Sequence, residues 1–134
     1  MECKRYDTYG NDISVFFLTD IHEGNSCSDS SSFLKAVRYI NDARKDHDEV
    51  IVVGGGDYID AINPKDKRFN PSEIESRYGI RDLKDLPRKQ MKRFHDNIKP
   101  IEDLFKFALV GNHEETYIRD GHFDVYDYLC ADLS

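Results

Sequence analysis

Glu49-Val50-Ile51-Val52-Val53-Gly54-Gly55-Gly56-Asp57-Tyr58-Ile59-Asp60 is the stretch on which the fold turns. Its first half is an unbroken β-branched run, short and stopped by glycine, which is how a buried strand reads. Its second half sets two carboxylates three residues apart directly after that strand. Upstream, Ile13-Ser14-Val15-Phe16-Phe17-Leu18 has the same character and empties into Thr19-Asp20-Ile21-His22. Between the two runs, Asp29-Ser30-Ser31-Ser32 offers N-caps for a helix from about Phe33 to Arg44. Phe33, Val37 and Ile40 fall at i, i+4, i+7 and would face a sheet. Strand, helix and strand with short connections make a βαβ unit, which predicts a parallel pair covered on at least one face.

Downstream, Asn63–Leu86 is polar and broken by Pro64, Pro71 and Gly79, and reads as a loop insertion with one short helix at most. Pro87 suits the first turn of a helix running to about Ile98, with Met91, Phe94 and Ile98 on one face. Leu104–Val110 is a third strand, stopped by Gly111 and followed by Asn112-His113-Glu114. Val125, Leu129 and Leu133 mark a last helix. The order β-α-β-α-β-α belongs to the α/β class.

A chain of 134 residues holds one domain. With 34% charged and 39% hydrophobic residues it is neither disordered nor membrane-like, and its longest apolar runs, Val15–Leu18 and Val50–Val53, are far too short to span a bilayer. Met1-Glu2-Cys3-Lys4-Arg5 opens no apolar signal region, so no secretory leader is expected. Cys3, Cys27 and Cys130 are scattered and odd in number, which fits a reducing, cytoplasmic setting better than a disulfide scaffold. The net charge of −7 disfavours a dedicated nucleic-acid module. Residues 65–106 are nonetheless net basic, 12 Lys or Arg against 8 Asp or Glu. A solvated helix face explains that stretch most simply, with weak steering of an anionic substrate as the alternative.

Each strand ends in metal-competent residues: Asp20-x-His22, then Gly56-Asp57-x-x-Asp60, then Gly111-Asn112-His113-Glu114. In a parallel sheet the carboxyl ends share one crevice, so residues remote in sequence meet there. Asp, Asn and His offer hard oxygens and imidazole nitrogen to a divalent cation. Singly, each cluster is explained as a turn, and Asn112 as a helix cap. Three in succession, each closing an apolar strand, are not. Two rival sites fail on spacing. The dinucleotide fingerprint begun at Gly54 meets Ile59 where glycine or alanine is needed. A cysteine phosphatase wants arginine six residues after its nucleophile, where Tyr9 and Phe33 stand after Cys3 and Cys27.

The three motifs resemble the linear signature of the calcineurin-like metallophosphoesterase superfamily, D-x-H, G-D-x-x-D and G-N-H-[D/E]. Gly111-Asn-His-Glu-Glu-Thr-Tyr117 with Asp124-Val-Tyr-Asp-Tyr-Leu129 looks most like its phage and bacterial phosphoesterases. The resemblance implies two divalent ions, manganese first, with iron, zinc or magnesium as the other candidates. It makes Asp57 the shared carboxylate, Asp20 and His22 ligands of the first ion, and Asn112 a ligand of the second. His113 would be the general acid, oriented by Asp60. The implied reaction is hydrolysis of a phosphomono- or phosphodiester by a metal-bridging hydroxide. Glu114 would fix the turn rather than act chemically.

Two departures from the pattern shape further expectations. The superfamily continues with a later His and a G-H-x-H motif, whereas after Glu114 only His122 remains, set too early and read as a surface residue. Residues 1–134 are therefore expected to be a partial domain, the amino-terminal half of a four-layer α/β/β/α sandwich. Such a half would be marginally stable, would self-associate, or would need a complementing carboxy-terminal half for turnover. Otherwise it would be a non-catalytic remnant or interaction module keeping half of the metal site. Ala61 stands where the phosphoprotein phosphatase branch has arginine, which points to a nucleotide, nucleic-acid or small-molecule phosphoester. His47 and His95 are expected to face solvent, and no membrane partner is expected.

Overall fold

Strand β1, Ile13–Leu18, runs parallel to β2, Glu49–Gly54, with Ile13 opposite Glu49 and Leu18 opposite Gly54. In the computed structural model, which describes residues 5–62, 64–119 and 124–133, β3 (Phe105–Ala108) completes a parallel sheet in the order β1-β2-β3. Helix α1, Ser30–Ala43, makes the β1–β2 crossover, and α2, Leu86–Ile98, lies in the β2–β3 crossover. Helices α3, Asn112–Arg119, and α4, Val125–Leu133, follow the last strand. The α/β class and the element order are those expected, with α3 added. His122 and the side chain of Leu133 lie outside the described residues.

The helices begin and pack as their patterns dictate. Asp29 is the cap of α1: its Oδ1 accepts the Ser32 N–H at 3.0 Å, satisfying one of the orphan donors of the first turn. Phe33, Val37 and Ile40 of α1 and Met91, Phe94 and Ile98 of α2 are buried on one sheet face with Leu18, Val50 and Val52. Val125 and Leu129 of α4 join the same core. Phe33 and Phe94 stack with centroids 5.8 Å apart, and Tyr58 tilts against Phe94 at 5.0 Å.

The other sheet face is different. Val15 and Phe17 of β1 pair with Ile51 and Val53 of β2, and Val53 with Phe107 of β3, so these side chains share that face. Phe17 is 71% exposed and Val15 49%, with Leu109 and Val110 exposed just past β3.

The insertion holds two 3-10 helices, Pro71–Glu73 and Ile80–Asp85, where one short helix at most was expected. A third, Lys99–Leu104, with Pro100 in its first turn, takes Leu104 from the start of what reads as strand. Strand β3 is accordingly short. The last ladder bond is Leu109 N–H to the Gly54 carbonyl, and β2 ends there.

Candidate metal centre

The first two strand-end loops are zipped together by their own backbones. Asp20 N–H donates to the Gly56 carbonyl at 3.1 Å, His22 to Asp57 at 3.0 Å, and Glu23 to Tyr58 at 2.9 Å. The third loop is pinned to the second by the Tyr58 hydroxyl, which donates to the Leu109 carbonyl at 2.8 Å. Among the described residues, four non-glycine residues have positive φ, Asp20, His22, Asp57 and Ala61, and all four lie in these loops. Such angles cost about 1–3 kcal/mol each and persist only where the surroundings impose them, which happens chiefly at functional sites.

Two glycines make the closeness possible. A Cβ on Gly111 would lie 2.0 Å from the Asp57 nitrogen and 2.3 Å from its Oδ1. Gly56, at φ +93°, has no room for one either, since Gly111 would be 2.6 Å away. Glu114 then binds the junction. Fully buried, it accepts three backbone N–H bonds at 3.1 Å each, from Asp57 and Gly111 on Oε2 and from Ile59 on Oε1. A carboxylate with three backbone donors is a satisfied buried charge, and it matches the turn-fixing part expected of Glu114.

Around this frame the predicted side chains converge. Donor atoms of Asp20, His22 and Asp57 lie within 4.8 Å of one another, and so do those of His22, Asp60 and His113. The His22 and His113 rings meet edge to face at 4.6 Å. Thr19 holds Asp20 through an O–H bond of 2.6 Å to Oδ2. Asp57 Oδ1 accepts the His113 backbone N–H at 2.9 Å, so one carboxylate faces the cluster and caps the first turn of α3. The carboxylates, imidazoles and strained backbone of this cluster suit a divalent cation. Asn112 is exposed at the start of α3, next to His113.

Asp60 orients His113 in a way the sequence does not disclose. The His113 Nδ1–H donates to the Asp60 backbone carbonyl, while the Asp60 carboxylate is 3.9 Å from Nδ1. That carboxylate, nearly buried, accepts from Asn25 Nδ2 at 3.2 Å. Because a carbonyl only accepts, Nδ1 carries a proton, and it is Nε2 that holds the lone pair in the neutral ring.

Above the cluster opens a crevice of about 450 Å³, walled further by Asn25, Cys27, Ser28, Asp29, Ile62 and Glu73. Glu73 and Asn25 are contributions the sequence did not announce. The insertion is stitched to the first loop by a bridge between Asn25 and Ile74 and by Ser26 N–H to the Glu73 carbonyl at 2.7 Å. Two histidines outside the site are less open than expected. His95 has a side chain only 15% exposed, 3.5 Å from Glu102, and His47 is half-covered and paired with Asp12 at 3.0 Å. His95 lies in the last turn of α2 and His47 just past α1, each drawn to an acid of another segment. Cys27 and Cys130 are free thiols, and no helix of the described residues is long and apolar enough to cross a membrane.

A parallel sheet that gathers carboxylates and imidazoles at its strand ends is an α/β domain with a candidate metal centre. The family model for calcineurin-like phosphoesterases matches residues 13–133, and the chain belongs to that family. No curated protein and no solved structure matches the chain significantly.

Proposed function

We propose that the chain is a metal-dependent phosphoesterase hydrolysing a phosphomono- or phosphodiester at the joined strand ends. The observation that supports this best is the meeting of Asp20, His22 and Asp57 within 4.8 Å on backbone held in left-handed conformations, with His113 adjoining. Divalent cations bound there, manganese by preference, supply Lewis acidity toward the phosphoryl oxygens and acidify water.

Asp20 and His22 would hold the first ion, Asp57 would serve both, and Asn112 would serve the second. His113 gives its proton to the departing oxygen, and the Asp60 carbonyl keeps the ring turned so that Nε2 is the donor when the ring is charged. Ala61 is buried and carries no guanidinium into the crevice, which favours a nucleotide, nucleic-acid or small-molecule ester over a phosphoprotein. The apolar sheet face of Val15, Phe17 and Leu109 favours association with a second copy or a complementing carboxy-terminal segment. The free thiols fit a cytoplasmic setting.

The test is hydrolysis of an aryl phosphodiester and an aryl phosphomonoester with added manganese. Turnover abolished by chelator and by Asp57→Asn is the expected result. Turnover indifferent to both would overturn the reading.

A further inference from the structure

His22 belongs to two donor groups at once. With Asp20 and Asp57 it makes a set of two carboxylates and one imidazole; with Asp60 and His113 it makes a set of two imidazoles and one carboxylate. The first is open, Asp20 being exposed, and rich in hard oxygen. The second is the more enclosed: Asp60 is 6% exposed and the His113 side chain 17%. A carboxylate can bridge two ions because it has two oxygens. An imidazole nitrogen has a single lone pair and serves one ion at a time.

From this we infer that His22, Asp60 and His113 form a second cation site, selective for zinc-class ions, whose filling excludes the hard-ion set of Asp20, His22 and Asp57. Nitrogen-rich sets favour zinc over manganese or magnesium, both by ligand softness and by the general order of divalent affinities. The second site also has the outer support that metal-binding histidines use. His113 Nδ1–H is anchored on a backbone carbonyl, which leaves the lone pair of Nε2 available. Asn25 Nδ2 donates to the Asp60 carboxylate and steadies it. The inference rests on the proposed phosphoesterase reading for its consequence alone: zinc so placed takes His22 from the working ion and occupies the proposed proton donor, giving a zinc-inhibited form.

The experiment measures zinc affinity by competition with a chromophoric chelator, and manganese occupancy by the paramagnetic resonance of the free ion. Zinc added to the manganese-loaded wild type is expected to release manganese. His113→Gln and Asp60→Asn, both close in shape to the residues they replace, are expected to weaken zinc about 10-fold or more. Asp57→Asn is expected to spare zinc and weaken manganese, and circular dichroism checks that each variant is folded. Zinc affinity unchanged in both His113→Gln and Asp60→Asn would overturn the site. So would a loss of zinc binding in Asp57→Asn as large as in His113→Gln. Absence of any phosphoester hydrolysis with manganese would instead overturn the proposed function and leave the zinc result standing.

Discussion

Glu114 Oε2 accepts the backbone N–H of Asp57 at 3.1 Å, across 57 residues of chain. The bond joins the second strand-end loop to the first turn of α3, and the same oxygen takes the Gly111 N–H. Glu114→Ala would strand three donors, of which those of Ile59 and Gly111 are buried. At about 1–3 kcal/mol for each unsatisfied buried group, a loss of roughly 3 kcal/mol or more is expected in urea unfolding. Glu114→Gln, which keeps one acceptor oxygen, should fall between. A loss below about 1 kcal/mol for the alanine variant would mean that the junction is held by something else.

Gly111→Ala should cost metal binding and stability together, since the new Cβ meets the Asp57 nitrogen, its Oδ1 and Glu114 Oε2 within 2.5 Å. Backbone crowded at that distance cannot be relieved by a side-chain rotation. Gly79→Ala is the matched control: its nearest neighbour is 3.8 Å away and its φ is ordinary. Equal manganese affinity in the two variants would remove the argument for a glycine-enabled approach of the loops.

Strands, crossover helices and the three motifs were legible in the sequence because each rests on local pattern: β-branched runs, i, i+4, i+7 spacing, glycine after a strand. Helix α3 was not, because Asn112-His113-Glu114-Glu115 is polar and the group that caps it is the Asp57 carboxylate, remote in sequence. The mode of His113 orientation was hidden for a similar reason. It depends on a carbonyl at Asp60, turned by the left-handed backbone at Asp57 and Ala61, and backbone direction leaves no mark on residue identity. The stretch Leu104–Val110 reads as strand throughout, yet its ends leave the sheet where β2 stops and where Pro100 winds the preceding turn.

His113→Gln should lower turnover by about 10²–10⁴-fold on an ester with a poor alkyl leaving group. On a nitrophenyl ester, whose departing oxygen needs little protonation, the loss should be much smaller. Rates with both esters under saturating manganese give the comparison. An equal loss on the two would argue that His113 does not protonate the leaving group.

Glu23 gives the chain a pH signature. Burial above all, then the charge of Glu75, pushes its carboxyl from 4.5 up to about 7, against the pull of Arg77 and Asn97. Arg93, with Nε 2.6 Å from Oε1, also favours the charged form. Between those two values the folded chain keeps a proton that the unfolded chain has lost. Its contribution to stability is therefore full below about pH 4.5 and is lost as pH rises to about 7. A decline on the order of 1–3 kcal/mol over that window is expected in the wild type and should vanish in Glu23→Gln. Stability that climbs across the window because of Glu23 would show that Arg93 dominates.

Manganese titrated into the chain and followed by the resonance of the free ion tests the meeting of the three loops most directly. Saturable uptake by the wild type, weakened about 10-fold or more in both Asp20→Asn and Asp57→Asn with the fold intact, is the predicted result. Uptake that is unsaturable, or that survives both substitutions unchanged, would contradict a shared cation site at the strand ends.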